Sequence, residues 1–209
     1  MKFALCSDVH LEFGALELQN TENADVLILS GDICVAKDVR VKDDYGLMGK
    51  NDNNKIHTFF QECCERFPNV VYILGNHEHY HGDFSKSYAT LHDRLGYLDN
   101  LHILEKEFVE IDGVCFAAGT LWTDMNKEDP VTIQRIKGYM NDYRIIEDSS
   151  EQVHFKTPVF GRKEDGSTDF DNVVSMEFHT RNAKFSPEKS IVEHRAMMQF
   201  IKDSIDSRP

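Results

Sequence analysis

Three short apolar runs, Lys2 to Cys6, Val26 to Leu29 and Val70 to Leu74, each lead directly into a small polar cluster, and this pattern restricts the possible folds more than any other feature of the chain. The clusters are Asp8-Val9-His10, Gly31-Asp32 and Gly75-Asn76-His77-Glu78. β-Branched and aliphatic residues dominate the runs, which marks them as buried strands. Between the second and third lies a helical pattern carried by Ile56, Phe59, Phe60 and Phe67. Strands alternating with helices predict a sheet of βαβ units, in which functional groups collect beyond the carboxyl ends of the strands. All three clusters fall at that rim. Further along, Phe84, Tyr88, Leu91 and Leu95 predict a second helix, followed by strands at His102 to Leu104, Phe108 to Ile111 and Val114 to Ala118. A last helix, Glu188 to Ile205, has Ser186 as its N-cap and Pro187 at its first position.

The clusters carry carboxylate, imidazole and amide donors, the makings of a metal site. On an extended chain the side chains of Asp8 and His10 share a face, so both can hold one ion. Gly31 and Gly75 allow backbone shapes and close approaches that a Cβ would block. Mixed oxygen and imidazole donors suit manganese, iron or zinc better than calcium or magnesium. Each cluster alone is a weak signal; the three in order, each behind its own strand, make the metal reading. Of the other histidines, His57, His92 and His194 sit in helical patterns, His102 opens a strand, and His154 and His179 lie later in the chain. His79 and His81 follow His77 on its loop; the plain expectation for that loop is that it faces solvent.

Other chemistries fit poorly. Cys34 and Arg40 have the spacing of a cysteine phosphatase loop, yet the residues between them include no glycine and place Asp38 where it would repel phosphate. No nucleophile elbow, Walker loop or dinucleotide fingerprint occurs. A formal charge of −13 argues against a broad grip on extended nucleic acid. The 209 residues predict one domain, 1–209. A strand at Lys2 leaves no room for a signal peptide, no stretch reaches membrane-spanning length, and five cysteines without framework spacing read as reduced thiols, so a cytoplasmic location is expected. Cys63 and Cys64 fall on the apolar face of their helix and are expected in the core. Two stretches rich in Asp, Asn, Gly and Lys, Lys37 to Asn54 and Gly161 to Asn172, predict loops; the first follows the Asp32 turn, and bordering the site and a plain solvated loop are equally good readings of it.

The motifs D-x-H, G-D and G-N-H-E resemble those of the calcineurin-like metallophosphoesterases. Ser7 to Phe13, Thr120-Leu121-Trp122-Thr123-Asp124 and Met140-Asn141-Asp142-Tyr143-Arg144 are similar to a microbial and phage branch of that family. The resemblance implies two mixed β-sheets packed face to face with flanking helices, a four-layer αββα sandwich, and two divalent metals that serve hydrolysis of phosphomonoester or phosphodiester bonds, the negative charge favouring a small phosphoester substrate. It implies that Asp8 and His10 bind the first metal, Asp32 bridges both, Asn76 binds the second and His77 acts on the leaving group. Two later family segments, a strand ending in His and a Gly-His-x-His, have no counterpart before Pro209. The expectation is therefore a C-terminally shortened domain with about one tight metal and an exposed sheet edge open to self-association. The rival expectations are a noncatalytic metal-binding remnant acting through a partner, and a nuclease.

Overall fold

The computed structural model describes residues 1–40 and 55–206. The expected strands form as β1 (Phe3–Cys6), β2 (Val26–Ser30) and β3 (Asn69–Ile73), and β4 (Leu101–Leu104) joins them in a parallel sheet ordered β1-β2-β3-β4. Helix α1 (Lys55–Arg66) crosses from β2 to β3 and α2 (Phe84–Leu95) from β3 to β4. Strand alternation sorts the side chains between two layers. Leu27, Leu29, Val70 and Tyr72 pack against Ile56, Phe59, Phe60, Leu91 and Leu95 of the helices. Val26, Ile28, Val71 and Ile73 pack on the opposite face against β5 (Glu107–Ile111) and β6 (Val114–Ala118) through Val109, Ile111, Phe116 and Ala118. β5 and β6 are an antiparallel pair turned by Asp112-Gly113, both at positive φ. The two faces of β2 and β3 are thus both covered, as their continuous apolar sequence requires.

β1 departs from the buried strand that its sequence predicts. Phe3 and Leu5 are exposed, Leu5 by 72%. β1 is the outer strand of its sheet, and the second sheet reaches it through one edge-to-face contact, Phe3 on Phe116, with ring centroids 5.7 Å apart. Phe108 and Val114 of the second sheet are exposed as well.

A third cluster closes one end of the molecule. Tyr143 of α4 (Asp142–Ile145) and Ile191 of α5 (Pro187–Asp206) meet there with Met125 of a left-handed turn at Met125–Glu128 and with Ile146 and Phe185, and Trp122 and the α3 (Pro130–Tyr139) residues Ile133 and Ile136 pack against them. Ser186 caps α5 as its sequence predicts, accepting from the Lys189 N–H at 3.1 Å. Between α4 and α5 the chain forms a long antiparallel ribbon, β7 (Glu147–Arg162) and β8 (Thr168–Lys184), which the sequence pattern did not announce. Part of the expected Gly161 to Asn172 loop is the ribbon's tip. The other expected loop falls largely at 41–54, outside the described residues.

All five cysteines are free thiols. Cys63 is in the core, where burial pushes its thiol up to about 12, and Cys64 is half-buried at its margin. Cys34 is fully buried and burial raises it too, which denies it the thiolate that a cysteine phosphatase needs. Among the described residues no helix is long and apolar enough to cross a membrane.

Candidate metal centre

β1 ends at Cys6, and the chain beyond it is not the extended segment that would align Asp8 with His10. Both residues lie at positive φ, 53° and 49°, as does Asp32 at 55°. Left-handed backbone at a residue with a Cβ costs about 1 kcal/mol or more, so it persists where neighbours hold it. Backbone bonds do that here. The N–H groups of Asp8, His10 and Leu11 donate in turn to the carbonyls of Gly31, Asp32 and Ile33, at 3.1, 3.0 and 2.9 Å. The loop after β1 is thereby laced to the loop after β2, and donor atoms of Asp8, His10 and Asp32 come within 4.8 Å of one another.

The loop after β3 is seated on the same spot by two glycines. A Cβ on Gly31, at φ 87°, would stand 2.8 Å from the Gly75 nitrogen, and one on Gly75 would stand 2.2 Å from Asp32 Oδ1. Neither position admits a side chain. With the loops touching, the His77 N–H donates to Asp32 Oδ1 at 3.0 Å.

Glu78 locks the junction from beneath. Its carboxylate, fully buried, accepts from the backbone N–H groups of Asp32 (3.0 Å), Ile33 (2.7 Å), Cys34 (3.4 Å) and Gly75 (2.7 Å) and from the Tyr72 hydroxyl (2.8 Å). Burial raises its pKa, and the Ile33, Tyr72 and Gly75 donors act against that rise. Every partner is a donor, an arrangement that uses the ionised carboxylate.

His77 is held on three sides. Its ring stacks on Tyr80 at 4.0 Å, meets the His10 ring edge-on at 4.3 Å, and its Nδ1 lies 2.9 Å from Glu12 Oε1. The same oxygen lies 3.2 Å from His10 Nδ1. Burial works to raise the Glu12 carboxyl, but its own backbone N–H and the His77 and His10 bonds outweigh it and hold the group below the ordinary carboxylate range. An ionised carboxylate only accepts, so each imidazole donates to it from Nδ1. Glu12 Oε2 is buried with no hydrogen-bond partner among the described residues. Tyr80 is fixed in turn: its hydroxyl accepts from the Asn76 amide and donates to Asp142, each at 3.2 Å, and burial pushes it up to about 12.

The five residues named from the sequence thus converge, Asp8, His10 and Asp32 as one donor group and Asn76 and His77 on the adjoining loop. The sequence reading passed over Glu12, Glu78, Tyr80 and Asp142. Glu12 sat in plain view two residues after His10, and Asp142 belongs to the Asn-Asp-Tyr-Arg stretch. Among the described residues, the remaining histidines join no metal-capable group. His57 bonds Tyr97 and the Arg40 carbonyl, His154 bonds Thr180, His179 bonds Thr157 and His194 bonds the Trp122 carbonyl. His81 is exposed as expected for that loop. His79 is not: it is buried against Phe84 and Trp122 beside a cavity of about 190 Å³, and burial holds its imidazole down at about 3.

Comparison with known proteins agrees with this architecture. A solved phosphopantetheinyl hydrolase from Mycobacterium tuberculosis superposes with a TM-score of 0.51 at 15% identity, over 72% of this chain and 56% of that one. An uncharacterised protein, L509, of Acanthamoeba polyphaga mimivirus is 27% identical over 108 residues, 48% of this chain and 37% of that protein. The chain therefore spans less than two thirds of either relative. The family model for calcineurin-like phosphoesterases matches residues 1–185, a stretch that holds all three metal-centre loops, and the chain belongs to that family.

Proposed function

We propose that this chain hydrolyses a small phosphoester using a divalent transition metal held by Asp8, His10 and Asp32, with Asn76 at the border of the same site. The observation that supports it best is the shared histidine: His10 belongs both to the Asp8-His10-Asp32 group and to the His10-Glu12-His77 group. A cation fits what is present. The donors are two carboxylates and an imidazole, and the orphaned Glu12 Oε2 adds unbalanced negative charge beside them.

When bound, such an ion supplies a Lewis acid for the phosphoryl oxygens and lowers the pKa of a bound water. The chain's own residues do the rest. Asp32 is oriented by the His77 N–H, so its carboxylate is set before any ligand arrives. Glu12 holds His10 through Nδ1, the carboxylate-imidazole support common to metal-binding histidines. The same carboxylate holds the His77 ring at Nδ1, which positions its other ring nitrogen to pass a proton to the leaving oxygen. Tyr80 stacks on the His77 ring and keeps it from turning.

The proposed occupancy is about one tightly held ion per chain, since among the described residues the two donor groups share His10 and no separate group exists. The formal charge of −13 supports a small phosphoester over extended nucleic acid, and the free thiols support a cytoplasmic setting. Elemental analysis after gel filtration, with hydrolysis of an aryl phosphodiester and an aryl phosphomonoester in manganese, tests the reading. One metal per chain and metal-dependent turnover of either ester, both lost in Asp32→Ala, are expected. Turnover that survives Asp32→Ala would overturn it, and two tight metals would overturn the stoichiometry.

A further inference from the structure

The cavity of about 190 Å³ beside His79 is walled by α2, α5 and the segments that follow β4 and β6. Its floor is buried, made by Leu74, His79 and Thr120, and it reaches solvent beside Ser85, which is exposed. Three rings line it together: His79 lies 4.9 Å from Phe84 and 6.0 Å from Trp122, and those two meet edge to face at 5.9 Å. A cavity of about 150 Å³ is enough to hold benzene, so this one takes a single ring with one polar substituent.

Two features of the lining are unbalanced. His79 is buried, and its Nδ1 has no hydrogen-bond partner among the described residues. Buried polar atoms are rarely left so. The charges beside it do not cancel either. One ammonium, that of Lys106, is shared between Glu105 at 2.6 Å and Glu193 at 3.0 Å. The second oxygen of Glu105 accepts from the Thr120 N–H and hydroxyl, at 3.0 and 2.9 Å, and these neutral donors leave its charge in place. Lys189 comes within 4.0 Å of Glu193, but it also faces Asp148 at 3.7 Å and Glu151 at 4.0 Å. Glu105, Glu193, Asp148 and Glu151 thus share only Lys106 and Lys189.

We propose that this cavity is a second binding site, separate from the metal centre, for a small organic cation: an ammonium group carried on a single apolar ring. Aromatic faces attract a cation, and Phe84 already has one from the chain itself, the Lys189 Nζ at 6.0 Å from its ring centre. The carboxylate surplus draws the same charge. An N–H of the ligand gives His79 the partner it lacks, since an imidazole nitrogen accepts as readily as it donates. The surplus repels anions, so a phosphoester bound at the metal centre is not this site's ligand.

Trp122 is the chain's single tryptophan, so its fluorescence reads the cavity directly. Titration of the full chain with benzylamine, benzyl alcohol and benzoate tests the site and its charge together, because the three are similar in size and are cationic, neutral and anionic at neutral pH. Benzylamine is expected to give a saturable change and to bind at least about tenfold more tightly than benzyl alcohol, with no saturable response to benzoate. His79→Phe keeps a ring in place without its nitrogens and weakens benzylamine by at least about fivefold. Glu193→Gln narrows the preference over benzyl alcohol to within about threefold. Circular dichroism confirms that each variant is folded. A wild type with no saturable response to benzylamine overturns the proposal and leaves the cavity to water. Equal binding of all three ligands, or a Glu193→Gln chain that keeps the full preference, overturns the charge assignment, and a His79→Phe chain that binds like wild type removes His79 from the site.

Discussion

The metal-centre loops and the β7-β8 ribbon are opposite ways of building with the same chain. In the loops one residue is tied at several groups: Asp32 donates its N–H to Glu78, accepts on its carbonyl from His10 and on its side chain from the His77 N–H. Left-handed residues at Asp8, His10 and Asp32 are tolerated because these bonds leave them no alternative. In the outer ribbon the backbone is paired, but Phe170, Val174 and Phe178 stand in solvent. Substitutions in the first region should propagate, and those in the second should stay local. Each prediction below attacks that contrast, from the largest expected effect downward.

His77→Ala should lower turnover of an aryl phosphodiester by about 10²- to 10⁴-fold while leaving metal content at its wild-type value. The side chain makes its contacts with Glu12, His10 and Tyr80, whereas the bond to Asp32 comes from the backbone and survives. Paired measurements of turnover and bound metal decide the matter. Unchanged turnover would remove His77 from the chemistry, and parallel loss of metal would make it a ligand.

Glu78→Ala should destabilise the fold by about 3–5 kcal/mol, because it removes the acceptor of four backbone donors, those of Ile33 and Cys34 buried and those of Asp32 and Gly75 partly so, and of the Tyr72 hydroxyl. Urea unfolding is the measurement. A loss under about 1 kcal/mol would mean that the loops are held by other means, and the contrast with the ribbon would weaken.

The parallel sheet was legible because burial on both faces forces continuous apolar runs, and the metal loops because touching backbones demand glycine at 31 and 75. The geometry joining Asp8 to His10 was not. The spacing suggested strand alternation, while the alignment comes from backbone bonds to Gly31 and Asp32 that no local pattern encodes. Glu78 was visible as the last residue of a motif, but its work is done on residues more than forty positions away. His79 looked like its exposed neighbour His81, since a loop carries no period from which burial can be read. The ribbon escaped for a related reason: Val153 and Phe155 alternate, yet with neither face buried no one-sided pattern marks the strands or fixes their register.

His79 gives a smaller, pH-dependent effect. Its folded imidazole lies at about 3 against 6.5 for the free group, so between those values the unfolded chain binds a proton that the folded chain refuses. Its contribution to stability is complete above about pH 6.5 and declines as pH falls toward 3, by at most about 1.4 kcal/mol per pH unit. His79→Phe, placed among Phe84 and Trp122, should flatten the dependence of the urea midpoint across that window. Equal slopes in the two proteins would show that His79 is already charged in the fold.

The smallest effect is expected from the most drastic cut. Joining Gln152 to Asn182 through Asn-Gly, which suits a two-residue hairpin, removes the outer ribbon and keeps its root on Asp83, Gly82 and Lys189. Among the described residues no hydrogen bond joins the ribbon beyond that pair to the body, so the unfolding free energy should change by less than about 1 kcal/mol, with metal content and turnover retained. Phe185 stands just past the ribbon and packs on Phe84, Trp122 and Tyr143; its single replacement by alanine should cost about 3–5 kcal/mol. Urea unfolding of both variants sets one side chain at the root against some thirty residues beyond it. If the shortened chain loses as much as Phe185→Ala, the outer ribbon supports the body through contacts other than those at its root, and the division between an over-determined site and an independent arm fails.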